Sequence, residues 1–123
     1  MRALIVDDSR VSRRILSQIL GHLGFEVVEA SNGLEALARL KEMSETAQLV
    51  MVDWNMPGMD GIDFVRAVRA EPTYANLHIV MITTNNQLHD VVVALEAGAN
   101  EYIMKPFTED IVQDKLALLG FFS

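Results

Sequence analysis

The chain has 123 residues, half of them hydrophobic and 22% charged, a composition typical of globular rather than disordered proteins. It contains no cysteine, which excludes disulfides, thiolate metal ligands and cysteine nucleophiles. Its 17 acidic and 10 basic residues give a formal net charge of −7, so binding of nucleic acid or an anionic membrane through a broad basic face is not expected. No apolar run approaches the ~20 residues of a membrane span. We therefore expect a soluble, cytoplasmic protein with a single domain over residues 1–123.

Five short apolar runs predict strands at residues 3–6, 27–28, 49–52, 79–82 and 102–104. Several are apolar at every position, which is typical of parallel strands buried on both faces. Apolar residues recur at helical spacing between and after them, at 11–23, 34–40, 62–68, 91–95 and 112–119. Gly24 is placed to end the first helix, and Asp60 and Thr108 are suited to cap the third and fifth. Strands that alternate with helices predict a parallel sheet with helices on both faces.

Polar residues, together with one proline, follow four of these apolar runs. They are Asp7 and Asp8, then Asp53, then Thr83 and Thr84, and finally Lys105 and Pro106. Ligands of such a sheet lie beyond the carboxyl ends of its strands, so these carboxylates, hydroxyls and the ammonium should converge at one edge. Clustered carboxylates repel one another, and oxygen ligands without nearby His or Cys favour Mg²⁺. A lysine and a hydroxyl across from the metal suit an anion, so the pattern predicts a phosphoryl site.

Five motifs carry a resemblance to a known family. They are Val-Asp-Asp-Ser at 6–9, Asp-Trp-Asn-Met-Pro-Gly-Met-Asp-Gly at 53–61, Ile-Thr-Thr at 82–84, Ala-Gly-Ala at 97–99 and Lys-Pro-Phe at 105–107. Together they resemble the receiver domain of two-component response regulators, over essentially the whole chain. Asp-Trp-Asn-Met-Pro and Tyr102 further resemble the stand-alone, chemotaxis-type members. The resemblance implies a doubly wound, flavodoxin-like α/β fold with a five-stranded parallel sheet in the order 2-1-3-4-5 and five flanking helices.

The resemblance also implies an acceptor and a metal site. Asp53 is the expected phosphoacceptor, whose carboxylate attacks phosphorus and becomes an acyl phosphate. Asp8 and Asp53 are expected to bind Mg²⁺ directly, Asp7 mainly through a water, and Asn55 through its backbone carbonyl. These roles agree with the chemistry of phosphoryl transfer, which depends on positioning and on neutralising charge on the equatorial oxygens.

Residues of the later strands complete the implied site. The Thr83 hydroxyl and the Lys105 ammonium are expected to bind phosphoryl oxygens, and the family's Lys105–Pro106 peptide is cis. Thr84 departs mildly from the family, which prefers a small residue there.

Asn55 and Asn85 are expected to border the path of the attacking water and so to set the lifetime of the phosphoryl group. Thr83 and Tyr102 are the expected switch. Phosphorylated Asp53 draws the Thr83 hydroxyl toward it, the Tyr102 ring fills the vacated space, and the surface of the fourth helix, fifth strand and fifth helix changes. The alternative is a buried Tyr102 ring whose hydroxyl bonds to the backbone.

The implied function is that of a signalling module, not an enzyme, although it assists its own phosphorylation and dephosphorylation. Its expected partners are a sensor histidine kinase and a downstream target protein, with chemotaxis as the expected pathway, and it is a monomer or a phosphorylation-dependent dimer. Direct nucleic-acid or membrane binding is not expected.

Three alternatives remain at this point. A haloacid-dehalogenase-like phosphatase also uses an Asp nucleophile, Mg²⁺ and a strand-end Lys, but needs a second Asp where Asn55 stands. A flavin or nucleotide carrier of the same fold needs a phosphate-binding loop after the first strand, where Asp7 and Asp8 repel phosphate. The third alternative is that the chain is a receiver fragment of a larger transcription regulator. Phe121 and Phe122 either pack under the last helix or form an exposed apolar tail.

Overall fold

The computed structural model describes residues 1–122, apart from the side chain of Glu45. Within them, five strands form one sheet in the order β2-β1-β3-β4-β5, and every adjacent pair is parallel. The strands are β1 (Arg2–Val6), β2 (Glu26–Ala30), β3 (Ala47–Asp53), β4 (His78–Thr83) and β5 (Glu101–Met104). The predicted strand order and parallel sheet are confirmed.

Five α-helices connect or follow the strands of the described region. They are α1 (Arg10–His22), α2 (Gly33–Met43), α3 (Gly61–Arg69), α4 (Leu88–Ala97) and α5 (Glu109–Leu118), with two unpredicted 3-10 turns at Ser44–Thr46 and Pro72–Tyr74. Asp60 and Thr108 cap α3 and α5 as predicted, because each side chain accepts a backbone N–H from the first turn. Gly24 follows the end of α1 with a φ of 98°, a conformation that favours glycine. Among these helices, none has the length and apolar character needed to cross a bilayer.

The helices cover both faces of the sheet and create two hydrophobic layers. On one face α2, α3 and α4 pack against the sheet around the fully buried Phe64. On the other, α1 and α5 pack around Leu16 and Leu116. Because side chains alternate along a strand, Leu4 of β1 enters the first layer and Ile5 the second. Burial on both faces explains why the central strands have continuous apolar runs.

Several apolar residues are less buried than their spacing predicts, and the C-terminal phenylalanines are packed. Val11 and Ile15 of α1 share the helical spacing of their buried neighbours, yet they are 69% and 46% exposed. β2 is only partly buried because it is an edge strand with one neighbour. Phe121 and Phe122 are not an exposed tail, since their rings pack edge-on against Phe25 with centroids 5.4 and 6.4 Å away.

Candidate functional site

The acidic residues predicted from the strand ends lie together at the carboxyl edge of the sheet. Asp7 and Asp8 follow β1, and Asp53 is the last residue of the neighbouring β3. One carboxylate oxygen from each lies within 4.8 Å of the others. Asp7 and Asp53 are 1% and 9% exposed, whereas Asp8 faces solvent. The cluster is therefore buried on the protein side and open on one side.

Asp7 is held from several directions. Its side chain accepts the backbone N–H of Ser9 at 2.8 Å, and its own backbone N–H donates to Ala30 of β2 at 3.1 Å. The Arg13 guanidinium donates to the Asp7 carbonyl at 2.6 Å and to the Glu29 carboxylate at 3.3 Å. These bonds fix the loop after β1.

The sequence interpretation did not identify Arg13. The available signal was its position three residues before Leu16 and seven before Leu20, on the buried row of α1. A charged residue on such a row needs a polar partner. The polar partner of Arg13 is the turn after β1, which carries Asp7 and Asp8.

Lys105 places a positive charge between the two buried acids. Its Nζ atom lies 3.0 Å from Asp7 Oδ2 and 3.5 Å from Asp53 Oδ2. Its backbone N–H donates to the Thr83 carbonyl at 2.8 Å, which ties the turn after β5 to the end of β4. The Lys105–Pro106 peptide bond is cis. One ammonium thus faces two buried carboxylates.

The pKa of Asp53 lies above its ordinary value of 3.8. Burial is the main cause; the Lys105 charge lowers the pKa and the Asp7 charge raises it. A hydrogen bond from the Asn55 backbone also lowers it. An additional cation at the site would therefore stabilise the charged form of these carboxylates.

The acidic cluster fits a hard divalent cation. Its candidate donors are carboxylate oxygens, the ligand type that Mg²⁺ prefers, and Asp8 lies at the solvent side of the cluster. Lys105 contacts only one oxygen of Asp7 and one of Asp53. Lys105 therefore leaves the Asp8 carboxylate and one Asp53 oxygen for a metal, and the residues present are chemically suited to Mg²⁺.

The loop after Asp53 approaches α3 closely at Gly61. The backbone N–H of Gly61 donates to the Trp54 carbonyl at 2.8 Å. A Cβ atom at Gly61 would lie 2.8 Å from the Trp54 Cα atom and closer still to the Asp53 carbonyl oxygen. Only glycine fits there without moving the backbone of Asp53 and Trp54.

Hydrogen bonds at the end of β4 connect the loop after β3 to Tyr102. Thr83 is fully buried, and its hydroxyl accepts the backbone N–H of Asn85 at 3.1 Å. Asn55 donates its side-chain amide to the side-chain oxygen of Asn85 at 3.1 Å. The structure therefore brings together the two asparagines that the sequence singled out.

Tyr102 is buried, with its hydroxyl donating to the Asn85 carbonyl at 2.7 Å. Burial, with a smaller contribution from the Asp90 charge, raises its pKa to about 12. This is the arrangement of the structural alternative, a buried ring bonded to backbone, and it places the phenol at the loop after β4.

At the opposite edge of the sheet, a cleft of about 600 Å³ lies beside Ala47 and His78.

A central sheet ordered β2-β1-β3-β4-β5 with an acidic cluster and a lysine at its carboxyl edge defines a receiver domain. The response regulator receiver domain family matches residues 3–117, and the chain belongs to this family. Receiver domains are signalling modules, so the family assignment favours this interpretation over the phosphatase and the flavin or nucleotide carrier.

Named relatives place the chain among CheY-like receivers. It is 44% identical over 120 residues to the chemotaxis protein CheY1 of Helicobacter pylori, covering 97% of this chain and 96% of that protein. The solved structure of Vibrio cholerae chemotaxis protein CheY4 is 33% identical with a TM-score of 0.88, covering 95% of this chain and 96% of that one. The CheX-CheY-BeF3-Mg²⁺ complex of Borrelia burgdorferi gives 29% identity and a TM-score of 0.92, covering 100% of this chain and 90% of that one.

Proposed function

We propose that this chain is a phospho-accepting receiver in which Asp53 takes a phosphoryl group from a sensor histidine kinase. The observation that carries the proposal is the packing of Asp7 and Asp53 around Lys105, with Asp8 at the open side. An Asp53 oxygen attacks phosphorus while the bond from phosphorus to the donor's imidazole nitrogen breaks. The electron pair of that bond stays on the nitrogen.

The surrounding residues supply positioning and charge. Asp8 and Asp53 bind Mg²⁺ directly, Asp7 acts mainly through water, and Asn55 contributes its backbone carbonyl. When bound, Mg²⁺ neutralises charge on the phosphoryl oxygens. Lys105 pairs with a second phosphoryl oxygen.

The hydroxyl of Thr83 bonds a further phosphoryl oxygen. Asn55 and Asn85 border the path of the water that removes the group. Because both are neutral, neither adds a carboxylate to activate that water, and substituting them should change the phosphoryl lifetime.

Output is proposed to run through the surface of α4, β5 and α5. Four large apolar side chains lie exposed on α4 and β5, and they are Leu88, Val92, Leu95 and Met104. A surface of this kind suits a protein partner. We further propose a cytoplasmic protein whose single receiver domain spans residues 1–123, acting in chemotaxis through a target protein, as a monomer or a phosphorylation-dependent dimer.

Acetyl phosphate tests the acceptor. With Mg²⁺ present, mass spectrometry should find one acid-labile phosphoryl group on the wild type and on Asp63→Asn, an exposed carboxylate control on α3. It should find none on Asp53→Asn. Full incorporation in Asp53→Asn would move the acceptor elsewhere.

Calorimetry tests the metal. An ion that binds only the folded site stabilises it by mass action, so Mg²⁺ should raise Tm in the wild type and in the control Asp114→Ala. Asp8→Ala should lose most of this shift. Equal Tm values for the wild type in Mg²⁺ and in chelator would contradict the site.

The phosphoryl mimic beryllofluoride tests the switch. Amide NMR shifts on α4 and β5 should respond to it in the wild type and much less in Thr83→Ala, which keeps the acceptor Asp53. Shifts of undiminished size in Thr83→Ala rule out this route from the acceptor to Tyr102.

A further inference from the structure

Asn85, in the loop after β4, contacts three parts of the site. Its backbone N–H donates to the Thr83 hydroxyl, and its backbone carbonyl accepts from the Tyr102 hydroxyl. Its side-chain oxygen accepts from the Asn55 amide. Asn85 therefore contacts the acceptor loop, the strand-end hydroxyl and the aromatic ring at once.

These contacts depend on a short connection. Residues 84–87 link β4 to α4, and they lie outside the hydrogen-bond ladder of the sheet. The position of the Asn85 carbonyl is consequently set by the bonds that Asn85 makes on either side. The Asn55 amide is the contact that ties this loop to the loop after β3.

The contacts differ in their exposure to water. Tyr102 is 6% exposed, so its hydroxyl needs the Asn85 carbonyl while the ring stays buried. The bond between Asn55 and Asn85 lies at the surface, where water competes and its net value is modest. A weak surface bond thus restrains the carbonyl on which a buried phenol depends.

We propose that the Asn55–Asn85 amide pair is a latch that holds the Tyr102 ring in its buried position. The two asparagines then position the signalling surface, in addition to bordering the acceptor. The inference rests on the proposed function in one respect, namely that a protein partner binds the surface that contains Tyr102. Loss of one surface hydrogen bond should raise the ratio of exposed to buried ring about fivefold.

The ring can be followed alone. The chain has two tyrosines, so Tyr74→Phe leaves Tyr102 as the single phenol. Tyr74 bonds Arg69 through its backbone carbonyl, and that bond survives the change. After 3-fluorotyrosine is incorporated, the fluorine NMR solvent isotope shift between H₂O and D₂O reports the exposure of the ring.

Four variants in this background separate the latch from general loosening. Asn55→Ala and Asn85→Ala remove the bridge from either side. Asn85→Asp keeps an acceptor oxygen for the Asn55 amide. Asn86→Ala is the matched control, an exposed residue of the same loop.

We expect about a fivefold rise in the exposed-to-buried ratio in the two bridge-breaking variants, and the parent value in Asn85→Asp and Asn86→Ala. Asn55→Ala decides the matter if Asn85→Ala does not fold. An unchanged ring in Asn55→Ala, or an equal rise in Asn86→Ala, overturns the latch. Loading by acetyl phosphate is measured separately: failure of the parent to load overturns the proposed function, while normal loading with an unchanged ring overturns the latch alone.

Discussion

The two edges of the sheet treat buried charge in opposite ways. At the carboxyl edge, Asp7 and Asp53 are buried with Lys105 between them, so negative charge is in excess. At the amino edge, the half-buried Arg69 donates to three oxygens: the carbonyls of Gly98 and Tyr74 and the side chain of Asn100. Burial lowers the pKa of Arg69 below its ordinary value.

Packing strengthens the same contrast. Aromatic contacts pack part of the amino edge, with the Phe121 ring 5.4 Å from Phe25 and 5.0 Å from His78. Asn100 adds bonds in both directions to Ile79, fixing the start of β5 against β4. The amino edge therefore stabilises the fold, whereas the carboxyl edge keeps unneutralised charge that a ligand can satisfy. The largest stability losses should come from the amino edge, whereas Asp53→Asn at the carboxyl edge should raise stability.

Removing Arg69 should have the largest effect. Arg69→Ala leaves three acceptors without their charged donor, and we expect a loss of about 3 kcal/mol in the free energy of unfolding. Urea unfolding measures this, with the exposed Arg66→Ala on the same helix as control. A loss in Arg69→Ala no greater than in the control would show that the network adds no stability.

Gly61→Ala should cost less, about 2 kcal/mol, because its Cβ atom meets the backbone of Trp54 and Asp53. It should also slow acetyl phosphate loading by displacing Asp53, the proposed acceptor. The control is Gly21→Ala in α1, where a Cβ atom meets nothing within 4 Å and helix propensity favours Ala. Equal stability of the two variants would contradict the close approach at Gly61.

Asp53→Asn should stabilise the protein, with Tm rising by about 3 °C at neutral pH. Because the folded pKa of Asp53 is raised above 3.8, the folded state binds more protons than the unfolded state between those two values. The contribution of Asp53 therefore destabilises at neutral pH and is relieved as pH falls through the folded pKa.

Unfolding measured from pH 7 toward pH 4 checks the sign. The stabilisation of Asp53→Asn relative to wild type should shrink as pH falls, and Asp63→Asn should show no such trend. A stabilisation that grows toward low pH would mean that the pKa of Asp53 is lowered, not raised, in the folded state.

The smallest effect should come from the surface pair of His22 and Glu109. Their side chains are 72% and 44% exposed, although the atoms lie 3.0 Å apart. Exposed pairs contribute little, so His22→Ala should change the free energy of unfolding by less than about 0.5 kcal/mol. A larger loss in a urea titration would mean that α1 and α5 depend on this contact.

Much of the acidic site could be predicted from the sequence because its position follows from local pattern. Asp7 and Asp53 each end a buried apolar run, and parallel strands bring such ends to one edge. The helix caps at Asp60 and Thr108 were equally local. The strand order came from the family resemblance, not from periodicity, and the roles of the site residues remain proposals.

The sequence by itself determined the alternation of strands and helices. Strands buried on both faces give short continuous apolar runs, and helices buried on one face give apolar residues at helical spacing, so both patterns can be recognised from neighbouring residues. Tertiary structure alone decided which groups meet. Lys105 contacts Asp7 across 98 positions, and Tyr102 reaches the carbonyl of Asn85 across 17. It also decided that Val11 lies exposed despite its helical spacing. The reason is that a hydrogen bond or a buried contact depends on where distant backbone and side chains are placed, and no local period encodes that placement.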